Sequence, residues 1–264
     1  MGRKLTVQKT IVRVRQGQTE EIEDLVTIEA PVTIYLNGSE LVTLLCSPDK
    51  LEYLALGFLR SEGLLTAIED LKSVRVREEE GLVEVELKDG AGLAEKLYGK
   101  RTVTSGCGKG TVFFSVLDSL RSSPLTGQLQ VSPDKVADLM GSLQDKAQLY
   151  KATGGVHSAA LADREKILYF CEDIGRHNAI DKIIGQCLRE GTDTEDKIIV
   201  SSGRLSSEIL LKAAKLKIQL LISRAAPTSL CLELAESLNV TLVGFARGRR
   251  CNIYTHAWRI KQPK

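Results

Sequence analysis

The residue best placed for chemistry is Cys107, which lies in a stretch of glycines and small polar residues from Val103 to Thr111. Glycine permits positive φ angles and close approach of a ligand, so this stretch predicts a loop. Lys109 follows the thiol by two positions, and a nearby ammonium lowers a cysteine pKa and favours the nucleophilic thiolate. The pattern indicates a reactive loop thiol; the alternative is a loop thiol beside an incidental lysine.

The other cysteines favour neither a metal site nor a redox pair. The chain has six cysteines and no Cys-x-x-Cys pair, which argues against structural zinc and against thioredoxin-type chemistry. Four of them lie in or end apolar runs and are expected to be buried: Cys46, Cys171, Cys187 and Cys231. Only Cys107 and Cys251 have polar or glycine-rich surroundings.

A second set of residues points to an anionic ligand. Polar segments follow four apolar strand-like runs, and each segment carries one arginine: Arg176, Arg204, Arg224 and Arg247. In open α/β sheets, ligands bind outside the carboxyl ends of the strands, and arginine can bind phosphate through two nitrogens. Ser202 and Gly203 precede one predicted helix and Thr228 precedes another, where backbone amides can bind phosphate. Alternatively, these residues are helix caps and solvated arginines; their convergence favours a phosphorylated ligand.

The three histidines differ in their predicted roles. His157 follows two glycines and leads into an apolar run, which favours a position lining a site. His177 lies at a predicted helix start, where it could donate to a phosphate, act as a general acid or base, or only cap the helix. His256 follows a strand-like run and could serve packing alone.

Composition sets the class of protein. The chain of 264 residues is 43% hydrophobic and 27% charged, which is typical of a soluble globular protein with a full core. No apolar run reaches the roughly 18 residues that a membrane span needs, and no secretory signal is evident, so a cytoplasmic location is expected. Net charge is only +2, but residues 237–264 contain bases and no acid, which suggests a polyanionic partner: nucleic acid, nucleotide or phosphorylated cofactor.

The elements that position these residues fall into two predicted domains. Residues 1–125 show period-two alternation, with Asn37-Gly38 as a hairpin signal and a helix that Ser47-Pro48-Asp49 would cap, so we expect an α+β domain with antiparallel pairing. Residues 126–264 alternate strand-like runs with helical patterns, the first helix starting at Ser132. This alternation predicts an α/β layer with mostly parallel strands.

Five segments together carry a family resemblance: Gly154–His157, Glu172–Lys182, Ser202–Arg204, Ser223–Thr228 and Phe245–Gly248. With them, the chain resembles the formate dehydrogenase accessory sulfurtransferases over about residues 25–257. The resemblance implies a cytidine-deaminase-like three-layer α/β domain at the C-terminus, a smaller N-terminal α+β domain and a homodimer. It further implies a sulfurtransferase that accepts sulfur as a persulfide from a cysteine desulfurase. The sulfur would pass to the molybdenum bis(molybdopterin guanine dinucleotide) cofactor of formate dehydrogenase, the client.

Within this resemblance, Cys107 falls on the persulfide-carrying cysteine. The cofactor-binding segment falls on Phe245, Ala246, Arg247, Gly248, Arg249, Arg250, Cys251 and Asn252, beside the anion-binding candidates named above. A guanine nucleotide is expected to mimic part of the cofactor. Family members commonly carry a second cysteine where this chain has Gly110, so a two-thiol relay within this loop is excluded. The zinc motifs of deaminases are absent, and neither nucleic acid nor a membrane is expected as a partner.

Two other functions stay open on the sequence. A cysteine hydrolase would use Cys107 with His157 or His177, and it would need a histidine held beside the thiol. A non-catalytic chaperone would bind the cofactor and hand it over without using the thiol.

Overall fold

A computed structural model describes residues 4–88, 102–103, 111–112 and 124–261 of the chain. These ranges contain fourteen strands and six α-helices: β1 (Thr6–Arg15), β2 (Gln18–Thr27), β3 (Ala30–Leu36), β4 (Ser39–Cys46), α1 (Leu51–Glu62), β5 (Leu71–Arg77), β6 (Leu82–Leu87), β7 (Thr102–Val103), β8 (Thr111–Val112), α2 (Pro133–Lys146), α3 (Gln148–Thr153), β9 (His157–Ala162), β10 (Ile167–Asp173), α4 (Arg176–Arg189), β11 (Ile198–Ser201), α5 (Ser207–Lys215), β12 (Leu220–Ser223), α6 (Ser229–Leu238), β13 (Thr241–Arg247) and β14 (Arg250–Ile253).

The N-terminal part contains a separate two-stranded ladder, β1–β2, and a four-stranded sheet in the order β4-β3-β6-β5. As predicted, Asn37 and Gly38 join β3 and β4, with φ angles of 51° and 81°. Pairing is antiparallel except that β3 runs parallel to β6, whereas the sequence predicted antiparallel pairing. Helix α1 covers one face of this sheet, where Leu54 packs with Ile34 and Val83.

The start of helix α1 differs from the prediction. Its N-cap is Lys50, in the left-handed region at φ 51°, and no side chain caps the helix. Ser47 and Asp49 have other partners: the Ser47 N–H donates to Asp173, and Asp49 accepts from Lys182. The predicted cap is therefore wrong, because these polar groups bind the C-terminal part of the chain.

The C-terminal part is one six-stranded sheet in the order β10-β9-β11-β12-β13-β14. Only β11–β12 and β12–β13 are parallel; β9–β10, β9–β11 and β13–β14 are antiparallel. The expectation of mostly parallel strands is wrong because β9–β10 and β13–β14 are joined by connections too short to cross over the sheet.

The C-terminal sheet is covered on both faces, which gives three layers. Helix α2 begins at Ser132 as predicted, where Ser132 Oγ accepts from the Lys135 N–H at 3.1 Å. On this face Leu139 and Met140 pack with strand residues such as Val200. Helices α4, α5 and α6 cover the other face. The three-layer α/β expectation agrees with this architecture, whereas likeness to cytidine deaminases and the domain boundary at residue 125 stay predictions.

Helices α1 and α4 join the two parts at a crossing between glycines. A Cβ atom on Gly57 would lie 1.7 Å from the Asp181 carbonyl oxygen. A Cβ atom on Gly185 would lie 1.9 Å from the Tyr53 carbonyl oxygen. The two backbones are therefore in direct contact, and only glycine fits at either position.

Candidate functional site

A cleft of about 610 Å³ opens at one edge of the C-terminal sheet. This edge carries the ends of β11 and β12 at Ser201 and Ser223, which are paired in register. Because β9 runs antiparallel to β11, the start of β9 at His157 lies at the same edge. The cleft volume falls within the usual range for small-molecule sites.

Polar groups from the ends of four strands form one wall of the cleft. His157, Ser158, Ser202, Arg224 and Arg247 line it. The Ser158 N–H donates to Ser202 Oγ at 2.9 Å, and the Ser202 N–H donates to the Ser158 carbonyl at 2.9 Å. His157 Nδ1 lies 3.5 Å from Ser202 Oγ. These reciprocal bonds fix the Ser202 loop against β9.

An apolar wall faces the polar one. It comes from α2 and α3 and from the segment before β9, and it includes Met140, Leu143, Ala147, Tyr150 and Val156. The sequence did not indicate this wall as part of a site. Met140 and Leu143 lie on the helix predicted to start at Ser132, and the six residues of α3 are too few for periodicity to reveal a helix.

Glu172 positions the aromatic residue of this wall. Its two carboxylate oxygens accept from the Leu149 and Tyr150 N–H groups, each at 2.9 Å, at the start of α3. A carboxylate at a helix N-terminus satisfies otherwise unpaired amides. Tyr150, 44% exposed, is thereby held beside the cleft.

The charge lining the cleft is of one sign. Lys151, Arg224 and Arg247 line it, and no acidic residue does in the part of the chain that the structure describes. Arg224 is half-buried and Arg247 exposed, and neither side chain has an ion-pair partner among the described residues. A cleft with unneutralised guanidinium groups, an aromatic ring and apolar side chains suits an anionic ligand with a flat apolar portion.

A second cluster of predicted site residues lies outside the cleft lining. Arg176 at the start of α4 packs on Gly203, where a Cβ atom would lie 2.9 Å from Arg176 Cβ. Arg204 is exposed. Burial lowers the pKa of His157, and the charges of Arg176 and Arg204 lower it further. The two arginines therefore affect the cleft through the field at His157.

His177 is neutral and engaged within the protein. Burial, with contributions from Lys212 and Arg176, lowers its pKa to about 3. Its Nε2 lies 3.2 Å from a Glu208 oxygen and 3.5 Å from Ser206 Oγ. The neutral ring can donate to Glu208, so the structure places His177 as a link between α4 and α5.

The predicted C-terminal binding segment contributes one residue, Arg247, to the cleft lining. Phe245 is 40% exposed with a left-handed φ of 51°, and the pairing of β13 with β14 shifts register between Gly244 and Arg247. Ala246 is buried and Cys251 is half-buried. The remaining candidates are exposed: Gly248, Arg249, Arg250, Asn252 and, at the N-cap of α6, Thr228.

Cys107 lies outside the described residues. The strands that flank it in sequence, β7 and β8, pair with each other through Thr102–Val112 and Val103–Thr111. The described cysteines are all free of disulfides, and four of the five are buried. Burial raises the pKa of Cys187 and of Cys231 to about 12, which makes these two thiols unreactive.

Two negative findings hold for the described ranges. They contain no group of three or more histidine, cysteine or acidic side chains that could hold a metal ion. None of their helices has both the length and the apolar content needed to cross a bilayer.

Comparison with known proteins gives a consistent family. The model of the FdhD/NarQ family matches residues 27–261. The sulfur carrier protein FdhD of Bacillus subtilis (strain 168) is 44% identical over 262 residues, which cover 99% of this chain and 100% of that protein. The protein of the same name from Listeria monocytogenes serotype 4b is 45% identical over 252 residues, covering 95% and 97% of the two chains.

A solved structure matches the whole fold. The crystal structure of a protein assigned as a formate dehydrogenase accessory protein from Desulfotalea psychrophila superposes with a TM-score of 0.80 at 26% identity. The match covers 98% of this chain and 100% of that one.

Proposed function

The chain belongs to the FdhD/NarQ family, and from this membership we propose that it is a sulfur carrier that serves the maturation of formate dehydrogenase. Full-length similarity to proteins named as sulfur carriers supports the general role. The observation on which the ligand proposal rests is the cleft that Lys151, Arg224 and Arg247 line without an acidic residue among the described side chains.

Cys107 is the proposed carrier of the sulfur. Its thiolate attacks the outer sulfur of a cysteine persulfide on a desulfurase, forming one S–S bond while the donor's S–S bond breaks and the donor cysteine leaves as thiolate. One nucleophile is sufficient for this exchange, so Gly110 at the second position does not prevent it. Lys109 favours the thiolate and so the attack.

The proposed acceptor is the bis(molybdopterin guanine dinucleotide) cofactor, which is cargo rather than a resident group. Its phosphates would bind Arg224, Arg247 and the backbone of the Ser202 loop, and a flat ring would lie on the apolar wall beside Tyr150. The protein would then work as a sulfurtransferase in the cytoplasm, as a homodimer. A guanine nucleotide is the simplest probe of the cleft.

Complementation tests this function against the chaperone alternative, in which the chain binds the cofactor in the cleft without using the thiol. A strain that lacks its own carrier is given the wild-type chain, Cys107→Ala or the matched control Cys231→Ala, which removes a buried thiol outside the cleft lining, and formate dehydrogenase activity is measured. We expect wild type and Cys231→Ala to restore activity and Cys107→Ala to fail. Full activity with Cys107→Ala would overturn sulfur carriage and leave cofactor binding alone.

A further inference from the structure

The ladder of β1 and β2, with the turn between them, forms an arm (residues 6–27). The strands pair over ten residues each, from Thr6–Thr27 to Arg15–Gln18, which corresponds to a length of about 34 Å. No other strand in the described ranges pairs with either outer edge. A two-stranded hairpin is marginally stable in water by itself, so a partner on one face of the arm would explain its length.

The root of the arm is fixed to the body beside the cleft. Thr27 Oγ1 donates to Thr153 Oγ1 of α3 at 2.8 Å, and the ladder itself is closed by the Ile28 N–H, which donates to the Leu5 carbonyl at 2.9 Å. A Cβ atom on Gly155, which lines the cleft, would lie 2.8 Å from Thr27 Oγ1. Beyond this root most side chains of both strands are exposed, including Val12 and Val14 at 67% and 68%.

One face of the arm is complementary to itself. Directly opposed residues of an antiparallel pair lie on the same face, so the register places Lys9 beside Asp24 and Arg13 beside Glu20, with Ile11–Ile22 between these charge pairs. On this face β1 contributes cations and β2 contributes anions. We name it the alternating face.

The opposite face lacks this property. It carries Glu21 opposite Val12 and Glu23 opposite Thr10, and β1 has no cation on that side. Two copies joined through it would place carboxylates on apolar or neutral side chains, which costs free energy because the charges lose water without gaining a partner.

We propose that the alternating face binds the alternating face of a second copy of this chain, about a twofold axis parallel to the strands. Such an axis lays β1 of one copy over β2 of the other. Lys9 then meets the second copy's Asp24, Arg13 meets its Glu20, and Ile11 meets its Ile22. Like charges would meet if the axis ran across the strands instead, so charge selects the orientation.

The inference deepens the homodimer included in the proposed function by naming its interface. The face of a two-stranded arm is small for a protein interface, so the association depends on protein concentration. Sedimentation velocity over a wide concentration range, with circular dichroism to confirm folding, measures it on the full chain.

The decisive experiment exchanges charge on the alternating face. Lys9→Glu with Arg13→Glu makes this face acidic, and Glu20→Lys with Asp24→Lys makes it basic; we expect each variant alone to dimerise at least about 100-fold more weakly than wild type. Mixed in equal amounts, the two variants should form a heterodimer. The matched control, Glu21→Lys with Glu23→Lys on the opposite face, should dimerise like wild type.

The outcomes separate the interface from the function. A wild-type chain that stays monomeric at every concentration would overturn both the homodimer and the interface, whereas sulfur loading would be unaffected. Folded charge variants that dimerise like wild type would overturn the interface only. Failure of the two variants to form a heterodimer would overturn the contact between the two alternating faces.

Discussion

The α1–α4 junction and the cleft both contain cationic side chains, but within the described ranges these are paired with carboxylates at the junction and unpaired in the cleft. At the junction, Lys182 is fully buried and its Nζ lies 2.7 Å from both an Asp173 and an Asp49 oxygen. In the cleft, Arg224 and Arg247 lie at strand ends with no ion-pair partner among the described residues. Compensated cations bind the two parts of the chain together, whereas uncompensated cations are available to a ligand.

The electrostatics of the junction support this distinction. Burial lowers the pKa of Lys182, but the carboxylates of Asp173 and Asp49 outweigh that effect and raise it overall, so the ammonium stays charged. Nearby, Lys212 Nζ donates to both Asp181 oxygens, at 2.7 and 2.6 Å, and Ser61 Oγ donates to the same carboxylate. Mutations at the junction should therefore reduce stability, and mutations in the cleft should reduce ligand binding.

The largest effect is expected from Gly57→Ala. The added Cβ would collide with the backbone of Asp181, so the helices must separate, and we expect a loss of at least about 3 kcal/mol in the free energy of unfolding. Urea denaturation measures it. The matched control is Gly141→Ala on α2, where a Cβ would meet nothing within 4 Å and a gain of about 0.5–1 kcal/mol is expected. Equal stability of the two variants would disprove the glycine crossing.

The next largest loss of stability is expected from Asp173→Asn. It leaves Lys182 buried with Asp49 as its remaining carboxylate, and breaking a buried pair costs about 3 kcal/mol. The control is Asp196→Asn, which removes the exposed partner of Arg164 at 3.9 Å and should not move the urea midpoint. An unchanged midpoint for Asp173→Asn would mean that the junction does not depend on this ion pair.

The double variant Arg224→Ala with Arg247→Ala should weaken ligand binding and leave the stability of the fold unchanged. Loss of two charged hydrogen-bond donors should weaken binding of guanosine diphosphate by about 10–100-fold, as measured by calorimetry. The urea midpoint should stay the same because neither guanidinium has an ion-pair partner among the described residues. Arg164→Ala, at an exposed site outside the cleft lining, is the matched control. Wild-type affinity in the double variant would remove the cleft as the nucleotide site.

The smallest effect is expected from His177, which links α4 to α5. Its folded pKa of about 3 is below its ordinary 6.5, so the unfolded chain binds the extra proton and stability falls as pH decreases from about 6.5. The slope from this group is up to about 1.4 kcal/mol per pH unit. His177→Gln should flatten the dependence of unfolding free energy on pH between about 6.5 and 5. Parallel curves for the variant and wild type would show that His177 is not held neutral.

The features of the fold that depend on neighbouring residues in the chain were predicted from the sequence. The turn at Asn37-Gly38, the Ser132 cap and the alternation of strands and helices after residue 130 were confirmed. The grouping of polar loops at one sheet edge predicted that Arg176, Arg204, Arg224 and Arg247 would converge. Of these four arginines, Arg224 and Arg247 line the cleft, together with Ser202 and His157.

The roles of side chains whose partners lie far away in the sequence were not predictable. Ser47 and Asp49 look like a helix cap until Asp173 and Lys182 are placed beside them. His177 looks available until Glu208 occupies its ring nitrogen. The apolar wall was not predicted because α3 is too short to show helical periodicity, and Glu172, which orders its start, belongs to a later strand.

The most direct test of sulfur carriage is the intact mass of the protein after incubation with a cysteine desulfurase and free cysteine. We predict that wild type and Cys251→Ser each gain the mass of one sulfur atom, that a thiol reductant removes it, and that Cys107→Ser gains none. An undiminished gain in Cys107→Ser, or no gain in wild type, would contradict Cys107 as the carrier.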